Sequence, residues 1–174
     1  MNTRNETLPD SKSNTTLAQT LARFASELRD EDVPQAVRER ARYLMLDAVG
    51  IAFASTQYEF AHRTLSAVSE FGGGDIDVIG FGTRLALRDA VLMNGLLVHG
   101  LDYDDTHTRG VIHATASCFP TALGVAAAGG LSGRELVTAY VIGMEVATRL
   151  GSVAKGGFHQ TGFHPTGLIG TFAC

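Results

Sequence analysis

Apolar residues recur along this chain mainly at the three- and four-residue steps of a helix, and only one short segment has the composition of a strand. Leu17, Leu21, Phe24 and Leu28 form the first stripe. Thr16-Leu17-Ala18-Gln19 ahead of it is a capping-box pattern, in which a hydroxyl and an amide side chain satisfy N–H groups that a helix start leaves orphaned. A helix is predicted over 17–29. Val37, Ala41, Leu44, Ala48 and Ile51 predict a second helix to about Ala54, with Asp32 as N-cap and Pro34 in the first turn. Its first half carries Arg38, Glu39, Arg40 and Arg42 on the other faces, whereas its second half is apolar nearly all round, as where a helix enters a core. A third helix, 58–70, ends at Gly72-Gly73-Gly74.

Ile76 to Gly82 is β-branched, short and bounded by glycines, which predicts the single strand. A buried helix follows from Leu85 to about His99, then a loop from Asp102 to Ile112, then a tightly packed Ala- and Gly-rich helix within 114–129. Ser132-Gly133-Arg134-Glu135 is a second capping box, opening a helix with the stripe Leu136, Tyr140, Gly143, Ala147 and Leu150. Gly156 to Gly170 reads as a glycine-rich turn, and Thr171-Phe172-Ala173-Cys174 as a helix cut mid-turn. Residues 1–15, rich in Asn, Thr, Ser and charge, read as a disordered tail. The expected architecture for 16–174 is all-α, a multi-helix bundle-like domain with at most one or two short strands.

Composition narrows the function. With 45% hydrophobic and 18% charged residues, 174 residues can bury a sizeable core. The net charge is −4, Lys12 and Lys155 are the only lysines, and the arginines are scattered, so no focused positive surface for nucleic acid is expected. The longest apolar stretch, Leu44 to Ala54, contains Asp47 and is far shorter than the roughly 20 residues of a membrane span. Cys118 and Cys174 lack CxxC spacing, and the N-terminus has no apolar signal region, so a reducing, cytoplasmic setting is expected, with no metal held by cysteine.

Candidate chemistry lies in His99-Gly100-Leu101-Asp102-Tyr103-Asp104-Asp105-Thr106-His107, followed by Arg109 and His113. Three carboxylates so close repel one another, so at least one must be paired, hydrogen-bonded or protonated unless the loop is fully solvated. Flanking imidazoles complete the components of a general acid/base site. The second stretch, Phe158-His159-Gln160-Thr161-Gly162-Phe163-His164-Pro165-Thr166-Gly167, adds a titratable group in His164 and a hydroxyl in Thr166 beside backbone N–H groups that could face an anion.

Taken together, Asp-x-Asp-Asp-Thr-His with a downstream His, then Phe-His-Pro-Thr-Gly, resembles the MmgE/PrpD family of 2-methylcitrate dehydratases, cis-aconitate decarboxylases and an iminodisuccinate epimerase. Leu46-Asp47-Ala48-Val49-Gly50, Asn94-Gly95 and Gly143-Met144-Glu145 near Arg149 extend the likeness over about 17–174. The resemblance implies the N-terminal part of a helical lyase domain, working without metal or organic cofactor on a small di- or tricarboxylate. It implies Asp102, Thr106, His113 and His164 as catalytic residues, and His107, Arg109 and Thr166 of the same two stretches are expected against the substrate. It further implies a homodimer, or a complementing C-terminal chain. Where many family members have His-Pro-Ser, this chain has His113-Ala114-Thr115. Family members are also longer, with a lid domain and substrate-binding lysines from the later chain, so the isolated chain is expected to be inactive or nearly so.

Three other readings compete. Asp102, Asp104 and Asp105 with nearby imidazoles could hold Mg²⁺ in a metal-dependent hydrolase. The acidic triplet also occurs in class II terpene cyclases, whose cavities need aromatic faces; the absence of Trp and the 7% aromatic content argue against that. A non-catalytic relative that keeps only association surfaces is the third.

Overall fold

The computed structural model describes residues 15–174, so the expected tail lies outside the described residues except for Thr15. Eight α-helices and a two-stranded sheet make a mostly α domain among the described residues: α1 Leu17–Glu27, α2 Gln35–Ser55, α3 Glu59–Ser69, β1 Gly73–Asp77, β2 Arg84–Leu85, α4 Leu87–His99, α5 Thr115–Gly129, α6 Gly133–Val153, α7 Gly157–Gln160 and α8 Pro165–Ala173. Both capping boxes close as their spacing requires. Thr16 Oγ1 accepts from the Gln19 N–H at 3.2 Å while Gln19 Oε1 accepts from the Thr16 N–H at 2.8 Å, and Ser132 and Glu135 do the same at α6.

Three expectations are displaced. Asp32 does not cap α2; it closes a 3-10 turn over Asp30–Asp32 by accepting from the Arg29 N–H at 3.0 Å. The start of α2 is held instead from inside, by Arg38, which donates to the carbonyls of Asp30 and Val33 at 2.9 and 2.8 Å and pairs with the Asp30 carboxylate. The strand begins at Gly73, earlier than its β-branched residues imply, and pairs antiparallel with Arg84–Leu85. Glycine permits that pairing: a Cβ on Gly74 would lie 2.4 Å from the backbone of Leu85 and Ala86. The glycine-rich stretch 156–170 is a single turn only in part, because it contains α7 and the first turns of α8, which Pro165 opens from the first position with His164 as N-cap.

The core runs between α2, α4, α5 and α6, with Ala48 and Ala52 facing Met93, Leu97 and Val98, and Phe119 meeting Tyr140 edge-on. Ser55 Oγ donates to the Leu97 carbonyl at 2.6 Å, fixing α2 to the last turns of α4. Asn94, 1% exposed, ties α4 to the turn after β1: its side chain donates to the Asp77 carbonyl at 3.1 Å and accepts from the Ile79 N–H at 2.8 Å. Beside it, Gly95 lets α5 approach. Pro120 inside α5 has no N–H to offer the Ala116 carbonyl four residues back, and Gly95 packs against that freed carbonyl, where a Cβ would come within 3.0 Å. The Asn94-Gly95 pair thus has two separate structural duties.

By length and composition α6 is apolar enough to cross a membrane. It also carries the Arg149–Glu145 ion pair at 2.5 Å and packs against α2, α5 and α8.

Asn94→Ala leaves a backbone N–H and a carbonyl without their partner. Both hydrogen bonds are only part-buried, so at about 0.5–1.5 kcal/mol for each bond the variant should lose about 1–3 kcal/mol of stability in urea denaturation. A loss below half a kcal/mol would show that water replaces the side chain.

Candidate active site

At its C-terminal end α4 presents His99, where an imidazole faces the negative pole of the helix dipole. The chain then reverses sharply. The Asp102 N–H donates to the His99 carbonyl at 2.8 Å, with Asp102 in the left-handed region at φ 51°, a conformation that Asp adopts more readily than most residues. That reversal lays the acidic segment against the end of α4.

The three carboxylates escape mutual repulsion by occupying three environments. The Asp104 side chain is only 1% exposed, with its Oδ1 3.0 Å from His99 Nδ1 and 3.5 Å from His113 Nδ1. Asp105 accepts from the Thr115 N–H at 3.1 Å, tying the loop to the start of α5. Burial pushes its carboxyl above the ordinary range, against the pull of the Thr115 hydroxyl and N–H, and the Asp104 charge adds to the push. Asp102 stays in water, 81% exposed, with Oδ1 3.8 Å from His113 Nε2.

His113 reaches this cluster through a compact reversal. The His107 N–H donates to the Ile112 carbonyl at 2.9 Å, and the Gly110 N–H donates to His107 Nδ1 at 3.1 Å. From the far side, the His113 N–H donates to Thr166 Oγ1 at 3.1 Å, so the first turn of α8 anchors the histidine backbone. The rings of His99 and His113 are tilted, 5.1 Å apart between centroids. His113 Nδ1 is buried and makes no hydrogen bond among the described residues.

Among the residues singled out from sequence, Asp102, His113 and Thr166 therefore meet. Thr106 and His107 line a depression together with Asp104, Asp105, Arg40 and Asp47, which neither Asp102 nor His113 lines. Thr166 instead shares a depression of about 570 Å³ with His99, Ser117 and Thr121. Arg109 is exposed near the tip of the 107–112 loop. His164 is exposed, and its Nδ1 accepts from the Gly167 N–H at 3.4 Å as a helix cap.

The match of this chain to known sequences spans nearly all of the described residues. Residues 19–174 match the model of the MmgE/PrpD N-terminal domain. The chain belongs to the MmgE/PrpD family. It is similar to a cis-aconitate decarboxylase-like protein of Aspergillus oryzae, with 24% identity over 95% of this chain and 36% of the relative. It is also similar to the cis-aconitate decarboxylase of Aspergillus terreus, 28% identical over 84% of this chain and 31% of the relative. The human cis-aconitate decarboxylase is 30% identical over 78% of this chain and 29% of the relative. The chain thus spans about a third of the length of the curated relatives it matches.

Two residues of the cluster lay in the stretch singled out from sequence but were given no catalytic or substrate-binding role. His99 and Asp104 make its shortest contact, and the available signal was their spacing: a histidine in the last helical turn and a carboxylate five residues on, within reach after one tight reversal. Which of three neighbouring aspartates is buried is set by the reversal at Asp102, a backbone conformation that composition does not encode.

The raised carboxyl of Asp105 has a defined pH signature. A folded-state value above the unfolded one, about 3.9, means that the native state holds this proton more tightly. The favourable contribution is then complete below the unfolded value and lost as pH rises through the folded one. Asp105→Asn keeps an acceptor for the Thr115 N–H and removes the titration. Its stability relative to the wild type should climb from about pH 4 upward and level off once Asp105 ionises, as read by urea denaturation at several pH values. A difference that is flat with pH would mean that burial does not tighten the hold of Asp105 on its proton.

Proposed function

We propose that this chain contributes the acid/base residues of an MmgE/PrpD lyase that dehydrates or decarboxylates a small di- or tricarboxylate, with His113 as the central proton carrier. The observation that carries the reading is the placing of His113 between a buried carboxylate on its Nδ1 side, Asp104, and an exposed one on its Nε2 side, Asp102. A buried carboxylate on one side of an imidazole fixes how the ring is presented, while the outer nitrogen remains available to a bound acid. In a dehydration, His113 takes the proton beside a substrate carboxylate as the hydroxyl departs with a proton from a second acid. In a decarboxylation, the electrons of the broken C–C bond remain on carbon and His113 supplies the proton that quenches them. Membership of the family supports lyase chemistry, and the curated relatives named as cis-aconitate decarboxylases support a polycarboxylate substrate.

Electrostatics limits what these residues do alone. A substrate with two or three negative charges meets Asp102, Asp104 and Asp105, and fixed positive charge nearby comes from Arg40 in the neighbouring depression and from Arg109 near the loop tip. Without further cations and without exclusion of water, orientation and proton transfer are both inefficient. The purified chain should therefore show little or no turnover of cis-aconitate or 2-methylcitrate, and activity should appear when the C-terminal portion of a family member is supplied in trans. His113→Ala should then lower kcat by about two to four orders of magnitude. Complemented activity that survives His113→Ala defeats the assignment.

A second reading, association through exposed apolar faces, is favoured by Tyr43, Leu46 and Phe53 on α2, Leu92 on α4 and Phe172 on α8, each more than half exposed. The partner would be a second copy or a complementing chain. Light scattering of the purified chain should give a mass above the 18.4 kDa of one copy. A monomer at micromolar concentration removes self-association and leaves the complementing chain.

A further inference from the structure

The cluster at the end of α4 also has the composition of a metal site. We propose that His99, Asp102, Asp104 and His113 bind one divalent transition-metal cation of the zinc class. One potential ligand atom from each of the four lies within 4.8 Å of every other. This inference stands on geometry and charge, independently of the lyase reading. Were both to hold, the cation would occupy atoms that proton transfer needs free, and would inhibit.

Charge supplies the first argument. Asp104 is almost fully buried, and its ion-pair partners among the described residues are the two imidazoles alone. Asp102 likewise faces His113, and the charged groups closest in sequence are further carboxylates. With neutral imidazoles the cluster holds two negative charges and no lysine or arginine. Either protons on the histidines or a dication must compensate, because an unpaired buried carboxylate is costly.

Geometry supplies the second. Ligands at the zinc distances of about 2.0–2.2 Å in a tetrahedron stand about 3.3–3.5 Å from one another. The separations from His99 Nδ1 and His113 Nδ1 to Asp104 Oδ1 are 3.0 and 3.5 Å. Side-chain shifts of a few tenths of an ångström bring such pairs to those edges. His113 Nδ1 is the buried nitrogen without a hydrogen-bond partner, which a cation would supply. Asp102, exposed at the mouth, gives a route of entry and the last ligand.

The donor set selects the metal. Two imidazoles and two carboxylates suit Zn²⁺, Co²⁺ or Mn²⁺, whereas Mg²⁺ and Ca²⁺ favour oxygen ligands in higher number. Three ligands fall within six residues, His99 to Asp104, and share one reversal of the backbone, so ordering three of them costs little beyond folding itself.

The test is a titration of the purified chain with CoCl₂, followed by the visible d–d absorption of four-coordinate cobalt, with ZnCl₂ added as competitor and MgCl₂ as control. One cobalt per chain should bind, zinc should displace it, and magnesium should not. Asp102→Asn, at an exposed position, and His99→Asn should each weaken binding by at least about tenfold, while His62→Ala and His159→Ala leave it unchanged. Circular dichroism of each variant separates a lost ligand from a lost fold. Absence of the cobalt spectrum up to millimolar metal overturns the proposal, as does binding that survives both Asp102→Asn and His99→Asn. Neither result touches the lyase reading, which the complementation assay tests without added metal.

Discussion

The packing of Gly95 against the Ala116 carbonyl sets how closely α4 and α5 approach, and the position of the site depends on that approach. Pro120 frees the carbonyl by withholding an N–H, and the missing side chain at Gly95 admits it. With the two helices drawn together, His99 at the end of one and Thr115 at the start of the other become neighbours of the same loop. The loop must reverse within a few residues, and Asp104 is trapped beneath the turn. A larger residue at either position would widen the gap and give the carboxylate back to water.

Helix periodicity and capping chemistry carried most of the architecture in the sequence. The stripes and both capping boxes located α1, α2 and α6, because those signals are local and repeat every turn. What failed was long-range. Asp32 had the chemistry of an N-cap, yet it closes its own 3-10 turn, and Arg38 from inside α2 ties the start of that helix to the turn. Gly73 and Gly74 read as the end of a helix, yet one of them is the only type of residue that fits against the Leu85 backbone. Pro165 was visible as a turn residue, and its equal suitability for opening a helix decided the matter.

The candidate site was legible in outline for a similar reason. Crowded carboxylates must find separate solutions, and the flanking histidines pointed to one of them. The loop residues Asp102 and His113 do meet, with Thr166 hydrogen-bonded to the His113 backbone. The assignment of the buried role to Asp104 needed the fold, since three aspartates in four positions are equivalent until the backbone turns. Arg109 and His164 point to the same limit: their chemistry suits an acid substrate, but one is exposed near a loop tip and the other is engaged in capping its own helix.

The bond from the His113 N–H to Thr166 joins residues 53 positions apart. Synthesis proceeds from the N-terminus, so the carboxylates and the histidine leave the ribosome well before the hydroxyl that anchors them. Until that hydroxyl arrives, the loop can form its internal reversal without a fixed position over α4. The loop and its anchor therefore come together only once residue 166 has been made, and a nascent chain halted before it would display the acidic loop without that anchor.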